Sequence, residues 1–105
     1  MEPLIALTTV PDEAAGVKIA NALVAERLAA CVNILPQMQS IYRWQGRIES
    51  ASERLLLMKT TRDCYAALQR RVGELHPYDV PELVAVAIAA GLPAYLQWLN
   101  DETNA

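Results

Sequence analysis

Two extended stretches of equal length face each other across Gln45-Gly46, and this pairing limits the chain more than any other feature. Cys31–Trp44 and Arg47–Thr60 each run 14 residues, against about 5–6 for an ordinary strand. Gly46 can take the positive φ that a two-residue turn demands. Such a turn sets Trp44 opposite Arg47 and Tyr42 opposite Glu49 across the ladder. Pro36 interrupts the first arm and brings no N–H, so a bulge or bend is expected there. A hairpin this long overhangs a chain of 105 residues, which has room for one core and therefore one domain, residues 1–105. Its tip carries Tyr42, Arg43, Trp44 and Arg47 and needs a surface to lie against.

The flanking segments complete a pattern. Leu4–Val10 is apolar in both of its alternating sets, the mark of a strand covered on two faces. Pro11-Asp12 opens a helix with Asp12 as N-cap, and Val17, Ala20, Val24 and Leu28 supply a buried stripe at helical spacing. Thr61 caps a second helix whose inner face is Tyr65, Leu68, Val72 and Leu75. Leu83–Ala89 reads as a further strand, and after Gly91 a last helix carries Tyr95, Leu96, Trp98 and Leu99. The order β-α-β-β-α-β plus a terminal helix predicts an α+β, ferredoxin-like fold. In that fold two helices cover one sheet face only. Strands apolar on both sides would then leave a large apolar patch, which a soluble monomer rarely exposes. The chain is expected to be an obligate homo-oligomer, with Tyr42, Trp44 and Trp98 packed in the interface.

His76–Glu82, HPYDVPE, concentrates the unusual chemistry. It holds the only histidine, and Pro77 and Pro81 make it a stiff, extended bridge. Its readings divide between a structural turn and a site. Catalysis lacks an inventory: there is no GxSxG, HExxH or Gly-rich phosphate loop. His76 and the acids Asp79 and Glu82 need not converge on an extended segment, so no enzyme activity is expected. A metal centre needs three or four ligands, of which one chain offers His76 alone. A small anionic ligand could be met by Lys59, Tyr78 and Glu82, with Arg43 and Arg47 near, in a cleft between subunits. Nine basic against twelve acidic residues, a net charge of −3, argue against nucleic-acid partners. Leu83–Asn100 lacks charged residues, but Gly91 and Pro93 break it, so it reads as two short elements and not as a membrane span. With no basic leader and no CxxC, Cys31 and Cys64 are expected to be reduced thiols of a cytoplasmic protein. An RNA-binding sheet would need aromatics where Leu55–Met58 stand, and a copper chaperone would need CxxC near Thr9-Val10-Pro11.

Six segments carry a resemblance: TTVPDE (Thr8–Glu13), ERLAACVNILP (Glu26–Pro36), SIYRWQG (Ser40–Gly46), LLLMKTT (Leu55–Thr61), ELHPYDVPEL (Glu74–Leu83) and GLPAYLQWL (Gly91–Leu99). In order and nearly end to end, they resemble the CutA family of divalent-cation-tolerance proteins. The resemblance implies a homotrimer with sheets facing inward and hairpins embracing neighbours. It also implies kinship with PII-like trimeric signalling proteins, which bind small effectors in inter-subunit clefts, and a role in tolerance of copper and other divalent metals. Some family members are described as binding Cu(II) through a first-strand cysteine and two adjacent histidines. Those positions fall here on Thr8, Leu75 and His76. Only His76 matches, so weak binding of Cu(II) or another divalent cation is the expectation.

Overall fold

The computed structural model describes residues 1–104. The elements are β1 (Pro3–Val10), α1 (Glu13–Ala25), β2 (Cys31–Ile34), β3 (Met38–Trp44), β4 (Arg47–Thr61), α2 (Arg62–Leu75), β5 (Val84–Ala87) and α3 (Pro93–Asp101). Every strand pairing is antiparallel, in the order β2-β4-β1-β5, with β3 continuing along β4. This is the ferredoxin-like arrangement, with the first strand and the second hairpin arm central. The radius of gyration, 14.2 Å, exceeds the roughly 13 Å of a compact chain this long. The excess comes from the hairpin, whose residues 41–50 are all exposed.

The hairpin register is as the turn requires, Trp44 opposite Arg47 and Tyr42 opposite Glu49. Gln45 (φ 49°) and Gly46 (φ 79°) take the two left-handed conformations of the turn. The first arm is broken into two strands at Pro36. Ile34 pairs with Leu56 and Met38 with Glu53, so three residues (35–37) oppose two (54–55). That one-residue excess is a bulge. It reverses the alternation of the broken arm while β4 runs on unbroken for 15 residues. In β2 the odd residues Cys31 and Asn33 share a face with Lys59 and Leu57 of β4. In β3 the even residues Tyr42 and Trp44 share that same face.

Burial follows alternation. Leu4, Ala6, Thr8 and Val10 of β1 and Leu56, Met58 and Thr60 of β4 point to the helices and are buried. They meet Ile19 and Leu23 of α1 and Leu68 and Val72 of α2 in one core. The α1 stripe is Gly16, Ile19 and Leu23, and the expected Val17 and Val24 face solvent instead. The reason is Gly16. A Cβ there would lie 3.3 Å from Leu56 Cδ1 and 3.4 Å from Val10 Cγ2, so the helix presses its glycine onto the sheet and turns the valines away. Asp12 caps α1 by accepting from Ala15 N–H at 2.8 Å. At the other end Leu28 N–H reaches Leu23 O and Arg27 N–H reaches Val24 O. This is a Schellman cap with Arg27 at φ 62° in place of the usual glycine. Arg27 is held there by Asp101 O and Glu102 of α3. Thr61 occupies the N-cap of α2 without a side-chain cap bond.

The second sheet face consists of Ile5 and Leu7, Leu55 and Leu57, Val84 and Val86, none of them buried. β5 is shorter than the expected Leu83–Ala89: only Val84–Ala87 pair with β1. Val84 and Val86 are each 49% exposed, a bare edge and a bare face together. α3 packs on β1 and β4 and buries Leu99, but leaves this surface open.

Leu56 is fully buried between Gly16 and the sheet. Leu56→Ala should destabilise the fold by about 2–5 kcal/mol, read from urea unfolding at fixed protein concentration. A loss under 1 kcal/mol would show that α1 does not depend on this contact.

Candidate functional site

The bridge from His76 to Glu82 is laid across the end of β1 by two polar contacts, and a third closes within the bridge itself. Thr8 Oγ1 donates to Glu82 O at 2.7 Å. His76 Nε2 meets Thr9 O at 2.8 Å, and His76 Nδ1 accepts from Tyr78 N–H at 3.1 Å. The carbonyl can only accept and the amide can only donate, so the imidazole is the Nε2–H tautomer with both nitrogens engaged. Its ring lies 4.8 Å from that of Tyr78, and the residue is 8% exposed. Pro77 and Pro81 remove the N–H groups that this segment could not satisfy.

Tyr78 turns its hydroxyl onto Glu53, donating to Oε2 at 2.8 Å. Burial first, and then the hydrogen bond to the Glu53 carboxylate, push the phenol up to about 12. Glu53 is itself 8% exposed, an acid at the inner end of the hairpin. Around this pair opens a groove of about 660 Å³ lined by Thr9, Tyr42, Trp44, Glu53, Tyr78 and Glu82, among others. It sits where the hairpin, the bridge and the uncovered sheet face meet. Its charged lining residues are Glu53, Asp79 and Glu82, with no lysine or arginine.

The residues singled out by sequence fall in four places. Tyr42, Trp44, Tyr78 and Glu82 come together in the groove. Lys59 does not join them within one chain. Its ammonium donates to Asn33, opposite Cys31 and Ile5, six residues along β4 from Glu53 and so roughly 20 Å away. Trp98 stacks at an angle on Tyr95, ring centres 5.6 Å apart, on the exposed side of α3. Arg43 and Arg47 stay exposed at the hairpin tip.

The residues at the three positions where the resemblance implies copper ligands do not fit a copper ion. The Thr8 hydroxyl is committed to Glu82 O, and Leu75 packs against the core. The lone pair of His76 is spent on Tyr78 N–H. Among the described residues no three His, Cys, Asp or Glu side chains converge as a metal site. Glu53 escaped the sequence reading, although a lone acid just before an apolar strand run (Glu53 before Leu55–Met58) is the kind of break that can be seen. The Thr9 carbonyl could not be seen, because any residue has one.

Fold and site together define a ferredoxin-like protein with an overhanging hairpin, a groove at its root and a bare second sheet face. The CutA1 divalent ion tolerance protein family matches residues 4–102. A Thermus thermophilus divalent-cation tolerance protein CutA is 54% identical over 100 residues, covering 95% of this chain and 97% of its own. Arabidopsis thaliana chloroplastic CutA is 45% identical over 101 residues, and the match covers 96% of this chain and 56% of that longer protein. The solved Thermus thermophilus structure superposes with a TM-score of 0.96 at 53% identity, over 97% of this chain and 99% of that one. The chain belongs to the CutA1 divalent ion tolerance protein family.

The Tyr78 contact has a pH signature. A phenol whose folded value, about 12, lies above the ordinary 10 favours the folded state while protonated. That contribution is whole below about pH 10 and is lost as pH rises through about 12. Wild type should therefore exceed Tyr78→Phe in denaturant midpoint at pH 8, with the gap closing between pH 10 and 12. A gap that is constant with pH would show that the hydroxyl is not held by Glu53.

Proposed function

We propose that the chain acts as a non-enzymatic homotrimer in the cytoplasmic response to copper and other divalent cations. The observation that carries this reading is the bare apolar sheet face, continuous with a hairpin whose tip has nothing of its own chain to touch. Ile41 and Ile48 on that hairpin are 70% and 73% exposed, a state that burial against a partner would relieve. Cyclic closure of three such faces inward places the hairpins on neighbouring subunits. Relatives bearing the name divalent-cation tolerance protein supply the physiological direction. No helix here is long and apolar enough to cross a membrane.

The metal link proposed here is not a resident chelate. With both nitrogens of His76 engaged, Cu(II) would have to break the Tyr78 N–H contact to bind, so its affinity is weak. A second reading, an anionic effector in a cleft of Lys59, Tyr78 and Glu82, needs Lys59 of a neighbour to approach the groove. The acidic lining of the groove favours it less.

Sedimentation at nanomolar concentration should give a trimer, and a folded monomer would overturn the assembly. Trp44→Ala removes a half-exposed aromatic of the hairpin tip and should weaken association by about 2 kcal/mol or more; unchanged dissociation would show the tip to be idle. Calorimetric titration of Cu(II) should give equally small heats for wild type and His76→Ala. Saturable binding lost in the variant would make the bridge a metal site after all.

A further inference from the structure

Glu53 is a mostly buried carboxylate that lines the groove. Oε2 accepts from Tyr78, while Oε1 takes no hydrogen bond among the described residues. Glu82 and Asp79 line the same groove and no cation does. Oε1 is not sealed from water, so a charged donor arriving through the groove can reach it, and such a bond is stronger than one from a neutral donor. The rings of Tyr42, Trp44 and Tyr78 line the same groove, surfaces on which a planar guanidinium stacks well. The groove therefore has the chemistry of an arginine socket.

The chain carries a matching plug. Arg47 lies opposite Trp44, on the hairpin face that bears Tyr42 and Glu53. It is exposed and forms no salt bridge among the described residues. It cannot reach its own Glu53, because six residues of one strand, roughly 20 Å, separate the two. Base and acid thus sit at opposite ends of one hairpin, the arrangement for head-to-root pairing between copies. The groove also opens onto the bare sheet face that assembly would cover.

We infer that Arg47 of one copy enters the groove of the next and pairs with Glu53 beside Tyr42 and Tyr78. This rests on the homotrimer proposed above. It makes each groove a composite of two chains, repeated around the ring. The groove is then a latch between subunits, and an anionic effector would compete for the arginine and not for the groove's own residues.

The test is subunit exchange between unlabelled and isotope-labelled protein, followed by native mass spectrometry. Glu53→Gln keeps the side-chain volume and an acceptor for Tyr78, and Arg47→Gln alters only the exposed tip. Each should speed exchange about tenfold or more. The double variant should be no faster than the faster single, because the same contact is lost. Rates that multiply in the double variant overturn the pairing, as does coupling of Glu53 to Arg43 in place of Arg47. Should Glu53→Gln fail to assemble, Arg47→Glu decides: a carboxylate thrust into an acidic groove should speed exchange beyond Arg47→Gln, most strongly at low salt. Exchange at the wild-type rate in Arg47→Glu would overturn the latch. Wild-type mass is read in the same spectra, so a monomer refutes the assembly, whereas a trimer with multiplying rates refutes only this contact.

Discussion

Ile5, Leu7, Leu55, Leu57, Val84 and Val86 give the sheet a second apolar face while α1 and α2 occupy the first. Two helices of 13 and 14 residues can pack one side of this sheet and no more. The rest of the architecture answers to that imbalance. β5 pairs through only four residues and stays bare, α3 is too short to shield the face, and the hairpin extends past the core. Each leaves apolar surface in water, in a molecule whose margin of stability is only about 5–15 kcal/mol, and this is the surface on which the proposed assembly rests.

The bridge solves a different problem. The chain must leave α2 and reach the sheet edge without wasting backbone polar groups. Two prolines delete N–H donors, Thr8 takes the Glu82 carbonyl, and His76 spans from its own bridge to the Thr9 carbonyl. A neutral imbroglio of donors and acceptors is thereby avoided: every polar atom of His76 has one partner of the right kind. The histidine that looks most chemical in the sequence is thus used as a two-ended hydrogen-bonding strut. It also orients Tyr78, and through Tyr78 it sets where the Glu53 carboxylate points.

What could be read from sequence was what depends on local pattern. Strand alternation, the Gln45-Gly46 turn, the Asp12 cap and the break at Pro36 all follow from residues within a few positions of one another, and all appear where expected. The phase of α1 did not, because the deciding residue was a glycine: Gly16 carries no hydrophobic signal, yet its missing side chain lets the helix settle on Leu56 and Val10. The site was legible only in part. Tyr42, Trp44, Tyr78 and Glu82 line one groove, whereas Lys59, expected to meet Tyr78 and Glu82 across a subunit boundary, lies toward the other end of β4 in its own chain. The Thr9 carbonyl became visible only once the bridge was placed in space, and Glu53, an acid that stands out before an apolar run, gained its meaning only when Tyr78 was set against it.

The bulge at Pro36 ties these threads together. Alternation along β4 is continuous, so its odd residues Glu53, Leu55, Leu57 and Lys59 mark one face from the hairpin root to the end of the strand. The opposite arm would present Ile41 and Arg43 to that face if its register were unbroken. The extra residue between Ile34 and Met38 shifts the parity and presents Tyr42 and Trp44 instead. Two rings therefore line the groove that Glu53 and Tyr78 also line, and Arg43 is sent to the far side. A single residue, enforced by a proline that cannot pair, decides whether the groove at the root of the hairpin is lined by rings or by a like-sided cation. The groove's character is thus a consequence of backbone counting as much as of side-chain choice.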